Sequence, residues 1–401
     1  MPLADDITAL ATAIQFSKDP LDDATRTQAL KAARDLVQAL EHPAEIVTQK
    51  VAFDMALIMA LRMGIQLGAF QTICNHKDEG VRVHDIAEKS GASPTVVGQI
   101  LRLLASKGYI VEADVQTYKP SALTHIMADP AIEAGTRSCF DLSMRCSVYA
   151  SEYFHQNGNQ FPPSVRDTPF QLSRGTQLSF FEWLGENPSR AKDFQQGMTA
   201  SQQKARQNWV DWFDVEGVIL NGFRKSQPDA GNEILFVDVG GGQGQYLHAF
   251  NRRFPDVMGR RILQDLPHVI SSVPTTPNMG EPAIEVMAHD VFKPQPVKGA
   301  RVYYMHWILH DWADEQARDI LANIAAAMEP GYSRLIINEH IIPDRGCSYE
   351  AACLSVMMMI QVGGLERTEQ QWRELLNSVG LTDLSFHQPQ GSGEGIIVST
   401  K

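Results

Sequence analysis

Apolar residues fall in short runs through the second half of the chain, and each run stops at a polar residue. Phe236-Val-Asp-Val239 leads into Gly240, Gly241, Gly242 and Gly244, after which a helical period begins. A second run, Ile262-Leu-Gln-Asp265, ends at Asp265, 25 residues after Gly240. Further runs end at Asp290 and at Glu339, and Val302–Leu309 leads into His310-Asp-Trp-Ala-Asp-Glu315. Short apolar runs bounded by turn signals predict strands buried on both faces. Five of them, alternating with helical stretches, predict an α/β fold with a doubly wound, mostly parallel Rossmann-like sheet. Ligands lie beyond the carboxyl ends of such strands, where all five polar residues fall. Asp residues that cap the following helices explain one or two of these positions, but five poorly.

Ahead of this sheet the pattern is helical. Residues 1 to about 40 read as one or two amphipathic helices, broken near Pro20 and Pro43. A helical period continues through Ile46, Val51, Met55, Ile58, Met59, Leu61 and Met63. Val83–Gly91 is a short helix closed by glycine. Ser93-Pro94 opens another, with Val97, Ile100, Leu101 and Leu104 on its apolar face. Gly108 stops it, and 109–112 with 116–119 form a two-stranded wing, so a winged helix is expected. Residues 120–225 are helix-rich, with a looser segment over 157–168. Leu381–His387 and Gly395–Ser399 read as an antiparallel edge hairpin. Three regions follow: a helical and winged-helix region over 1–120, a helical linker region over 121–225, and a sheet domain over 226–401.

Glycines after the first strand let a cofactor lie on bare backbone, where a Cβ would collide. An acid ending strand two can hold both ribose hydroxyls. These features stand in a wider set: Val-Asp-Val-Gly-Gly-Gly-Gln-Gly (237–244), Asp-Leu-Pro (265–267), His-Asp-Trp-Ala-Asp-Glu (310–315), Asn-Glu-His (338–340) and Gly-Gly-Leu-Glu-Arg-Thr (363–368). In that order and spacing the chain resembles the class I S-adenosylmethionine-dependent O-methyltransferases of the caffeate-type and fungal secondary-metabolite branch. The resemblance runs from about residue 45 to the C-terminus. It implies S-adenosylmethionine as cofactor, S-adenosylhomocysteine as product, no metal, and a homodimer built on the N-terminal region. It implies that His310 is the general base and that Glu339 and Glu366 flank and orient it. It implies cofactor contacts from Gly240, Gly241, Asp265, Asp290 and Val291. The plant members carry a lysine four residues before the catalytic histidine. His306 stands there in this chain and inherits the contact. Phe194 and Met198 resemble residues lining the family's acceptor pocket. Val356, Met357 and Gln361 join them on a methionine-rich helix that suits flat ligands.

The chemistry can be argued from the residues alone. A methyl sulfonium is already electrophilic, so the enzyme must deprotonate the acceptor. A phenol of pKa near 10 needs a base such as histidine, held in one tautomer by a carboxylate. Two histidines at 306 and 310 could suggest a metal. On a strand they would lie about 13 Å apart, too far for one ion. A winged helix could read DNA, but the helix over 93–107 carries only Arg102 and Lys107 as basic residues, too few for a groove reader. Some enzymes of this fold keep the cofactor and catalyse dehydration or pericyclic steps instead. The retained histidine and two glutamates favour methylation.

Composition narrows the setting. The chain has 401 residues, 44% hydrophobic and 20% charged, with a net charge of −12. Those values describe an ordinary globular protein, and the negative balance argues against nucleic acid as partner. No run approaches the length of a membrane span, and the N-terminus carries no basic, apolar leader pattern. The five cysteines show no Cys-x-x-Cys spacing, and reduced thiols in a cytoplasmic protein are expected. The expected partner is a small hydroxylated aromatic molecule.

Overall fold

The computed structural model describes residues 2–15, 22–76, 79–203, 208–224, 233–273, 281–389 and 393–401. The chain divides into two compact units, Met1–Ile58 and Met59–Lys401.

The first unit holds helices Pro2–Gln15, Asp23–Leu40 and Pro43–Thr48, a wide turn Gln49–Phe53 and the start of helix Asp54–Gln66. The break expected near Pro20 lies outside the described residues; the one near Pro43 is present. Asp22 caps the second helix by accepting from Thr25 N at 2.9 Å. The apolar stripe Leu30, Val37 and Leu40 is exposed on the isolated chain.

The second unit opens with a small α/β module. Its strands are β1 (Val81–Arg82), β2 (Ile110–Asp114) and β3 (Thr117–Pro120), in the antiparallel order β1-β3-β2. The helices Val83–Ser90 and Pro94–Ser106 form where their periodicity predicts. Val97, Ile100, Leu101 and Leu104 are buried with Phe70, Ile73 and Tyr118. The sequence suggested two strands here. β1 is too short for an alternating pattern to show, and it pairs only because the chain returns to Tyr118.

Helices then follow to Leu220, broken between Gln156 and Pro169 as expected. The main sheet comprises β4 (Ile234–Val239), β5 (Arg260–Asp265), β6 (Glu285–Ala288), β7 (Val302–His306), β8 (Arg334–Glu339), β11 (Thr382–His387) and β12 (Gly395–Thr400). Two further short strands, β9 (Ile341–Ile342) and β10 (Arg367–Thr368), pair in parallel beside it. The main order is β11-β12-β8-β7-β4-β5-β6, with β12 antiparallel to both neighbours. β4, β5, β7 and β8 carry buried apolar residues on both faces, because both faces are covered. The expected fourth run was too long: β7 stops at His306, and Leu309–Asp311 is a 3-10 turn.

Arg301 shows how the sheet is joined to the preceding helices. It is buried, and its guanidinium donates to the carbonyls of Val218, Ile219, Asn221 and Tyr332. Removing the donor leaves those carbonyls inside without partners. Arg301→Met should therefore destabilise the protein by about 3–5 kcal/mol, read as a lower urea midpoint. An unchanged midpoint would show that the carbonyls find other donors.

Candidate active site

The glycine loop is built by its own strands. Gly240 N and Gly241 N both donate to Gln264 O, at 2.8 and 3.0 Å, so the turn is tied to β5. Gly240 has φ +71°, and an added Cβ would sit 2.5 Å from Ile308 Cδ1. At Gly241 it would lie 2.4 Å from Asp238 Cγ. A Cβ at either position would have to displace neighbouring side chains, and at Gly240 the positive φ adds backbone strain. Nothing described lies near a Cβ at Gly242, whose need is its φ of +59°.

Two carboxylates serve this loop. Asp265 accepts from Gly242 N at 2.8 Å and from its neighbour Leu266 N at 2.7 Å. Burial raises its pKa. A carboxylate has about four lone-pair positions, so two hydroxyls can still be received. Asp238 is buried, and neither oxygen receives a hydrogen bond from the described residues. Burial, with the Asp265 charge adding, pushes it up to about 8. An orphaned acid beside a glycine loop fits a cationic ligand, and S-adenosylmethionine carries both an ammonium and a sulfonium. Asp290 accepts from Phe292 N at 3.0 Å, and Val291 packs against the core under the sheet.

His306 ends β7 as a buried hub. Its Nε2 lies 2.9 Å from Tyr246 Oη and 2.8 Å from Glu394 Oε2. Its ring stacks on Trp307 at 5.0 Å. Trp307 has φ +51°, a left-handed conformation that turns the chain out of the strand.

The turn after Trp307 carries His310. His310 Nδ1 lies 2.7 Å from Glu366 Oε1, and Nε2 lies 3.5 Å from Asp311 Oδ1. Glu366 is buried and reaches this position because β10 pairs with β9, Arg367 opposite Ile341. Glu339 lies close enough for its charge to act on the ring, and its hydrogen bonds go to the turn's backbone. Its Oε1 accepts from Ile308 N at 3.1 Å and Leu309 N at 2.7 Å, so it holds the backbone. Burial alone would lower the pKa of His310. The charges of Asp311, Glu366 and Glu339 overcome it and push the ring up to about 10. Asp311 rises to about 7 through burial, against the opposing pull of His310. Burial also raises Glu339.

On the acceptor side, Phe194 packs edge-on to Phe180 at 5.3 Å in a cluster that also holds Met358 and Met359. Met198 and Met357 are half-buried, and Val356 is 53% exposed on the isolated chain. Gln361 is buried, and its Oε1 accepts from Ser143 Oγ at 2.7 Å. One lone pair of its carbonyl oxygen is therefore engaged.

Sequence reasoning overlooked four residues: Asp311, Gly364, Arg367 and Glu394. Three sit inside motifs already singled out, and only packing shows their contacts. Among the described residues, no group of three or more His, Cys, Asp or Glu could hold a metal ion.

Residues 151–382 match the O-methyltransferase domain, more than half of the 401 residues. The chain belongs to the O-methyltransferase family. Residues 49–128 of this O-methyltransferase match the family's dimerisation domain. It is 34% identical to O-methyltransferase penC of Penicillium thymicola, over 96% of this chain and 93% of that one. It is 33% identical to demethylsterigmatocystin 6-O-methyltransferase of Aspergillus parasiticus, over 88% and 87%. Among solved structures it resembles LepI in complex with SAM, with TM-score 0.88, 29% identity, and coverage of 99% of this chain and 100% of that one. A structure described as a pericyclic reaction enzyme aligns with TM-score 0.88 and 29% identity, covering 99% of both chains. This O-methyltransferase uses S-adenosylmethionine as its methyl donor, in a mixed α/β fold with a helical N-terminal dimerisation domain.

Gly364 provides a test of the His310 turn. A Cβ there would lie 2.0 Å from His310 O and 2.5 Å from the carbonyl carbon of Asp311. Backbone cannot yield as a side-chain tip can, so Gly364→Ala must displace the turn. Turnover should fall about a hundredfold, the worth of a 1 Å misplacement, with donor affinity nearly unchanged by calorimetry. Wild-type turnover would show that the turn relaxes freely.

Proposed function

We propose that this enzyme methylates a phenolic hydroxyl of a small aromatic or polyketide-type secondary metabolite, with His310 as general base. The observation carrying the reading is the buried His310–Glu366 bond of 2.7 Å. Glu366 takes Nδ1 and leaves Nε2 for the acceptor hydroxyl. Glu339 holds the backbone behind the ring. The donor supplies an electrophilic methyl group when bound. Gly240, Gly241, Asp265, Asp290, Val291 and His306 would hold it, with Asp238 a further carboxylate beside the glycine loop. Phe194, Met198, Val356, Met357 and Gln361 belong to the acceptor side. The relatives support a secondary-metabolite acceptor, one being named for demethylsterigmatocystin. The dimerisation match supports a homodimer, and the module over 81–120 is read as its winged helix. The division at 120 and 225 is retained as the functional one.

The likeness to LepI favours a second reading, a pericyclic or dehydration step without methyl transfer. Incubation with methyl-labelled S-adenosylmethionine and a panel of polyketide phenols decides between them. Label in the product supports methylation. Product formed without loss of the methyl group supports the alternative.

Asp265→Ala should weaken donor binding by roughly 2–4 kcal/mol, since hydrogen bonds to a charged group are worth about 1.5–3 each. Unchanged affinity by calorimetry would remove Asp265 from the site.

His310→Ala should lower kcat by about 10²–10⁴. The pH dependence follows from the raised ring. A base must be neutral to accept a proton, and His310 becomes neutral only as pH climbs toward about 10. kcat/KM should therefore rise from neutral pH upward, about tenfold per unit. Asp311→Asn removes a charge that favours imidazolium, so it should move this limb to lower pH. The acceptor's own ionisation would not move. An Asp311→Asn profile superimposable on wild type would exclude His310 as the titrating base.

A further inference from the structure

The His310 turn is weakly held by its own hydrogen bonds. Asp311 N to Ile308 O and Trp312 N to Leu309 O are both 3.3 Å, long for such contacts. Its conformation depends on what surrounds it. Arg367 grips it from the side. Its Nη1 donates to Leu309 O at 2.8 Å and its Nη2 to Trp312 O at 2.7 Å. Those carbonyls stand immediately before and after the pair His310-Asp311. The third contact, Nε to Asp314 Oδ1 at 2.9 Å, reaches a carboxylate 58% exposed, while the guanidinium side is fully buried. Trp372 lies under the guanidinium at 5.2 Å from its ring centre. Arg367 also adjoins Glu366 in sequence. One dipeptide therefore holds both the imidazole and the backbone that carries it.

We propose that Arg367 is a positioning residue for His310, spanning Leu309 O and Trp312 O so that the ring meets Glu366 and the acceptor together. The inference rests on His310 being the base. A guanidinium is a rigid planar fork and fixes the spacing of two acceptors. Lysine keeps the charge but is a point donor on a flexible stem, so it cannot hold both carbonyls in one geometry. Plain core packing against Trp372 is the competing explanation, and it predicts a loss that is independent of His310.

A double-mutant cycle separates the two. kcat, acceptor KM and donor affinity are measured for wild type, Arg367→Lys, His310→Ala and the double variant. Arg367→Lys should lower kcat about 10–100-fold and leave donor affinity within about twofold. In the His310→Ala background the same change should cost less than about threefold, because the group it positions is gone. An equal loss in both backgrounds would overturn the proposal and leave a structural residue. So would wild-type kcat in Arg367→Lys. Full activity in His310→Ala would instead bring down the base assignment, and this inference with it. If Arg367→Lys does not fold, Asp314→Asn loosens only the exposed third contact. It should lower kcat about twofold to fivefold in the wild-type background alone; an equal loss in both, or none, counts against the proposal.

Discussion

The hydrogen bond between His310 Nδ1 and Glu366 Oε1 requires most of what surrounds it. The two residues are 56 positions apart and belong to separate segments. His310 is delivered by β7 and a left-handed turn at Trp307. Glu366 is delivered by a loop after helix Tyr349–Gln361, fixed where β10 pairs with β9. Gly364 lets the two backbones approach closely enough for that bond to form.

The electrostatics follow from the same crowding. Asp311, Glu339 and Glu366 surround one imidazole in a buried space. The positive charges that oppose these carboxylates are His310 and Arg367. Burial raises Asp311 and Glu339, while the neighbouring carboxylate charges outweigh burial at His310 and raise it. A ring held this high has a proton affinity close to that of a phenol.

The glycine loop shows a second economy. Gly240 lies against the Ile308 side chain, at the start of the His310 turn, and its positive φ favours glycine. The glycine loop is thus packed against the turn that carries His310. His306 extends this link, joining Tyr246 in the helix after the glycines to Glu394 just before β12.

The sequence by itself determined the α/β sheet and most of its strands, and it singled out His310, Glu366 and Asp265 as candidates. Strands covered on both faces are rich in apolar residues, so their short apolar runs are visible without coordinates. The glycines and the caps were equally legible, since local backbone geometry demands them. The tertiary structure decided what each polar group touches. Glu339 binds backbone rather than the ring, Asp311 stands beside Nε2, and β7 ends three residues earlier than its apolar run. Arg367 and Gly364 were visible as letters of a motif, but not as parts of the His310 turn. Their contacts join residues more than 50 positions apart, and no local period or propensity records a distance of that kind.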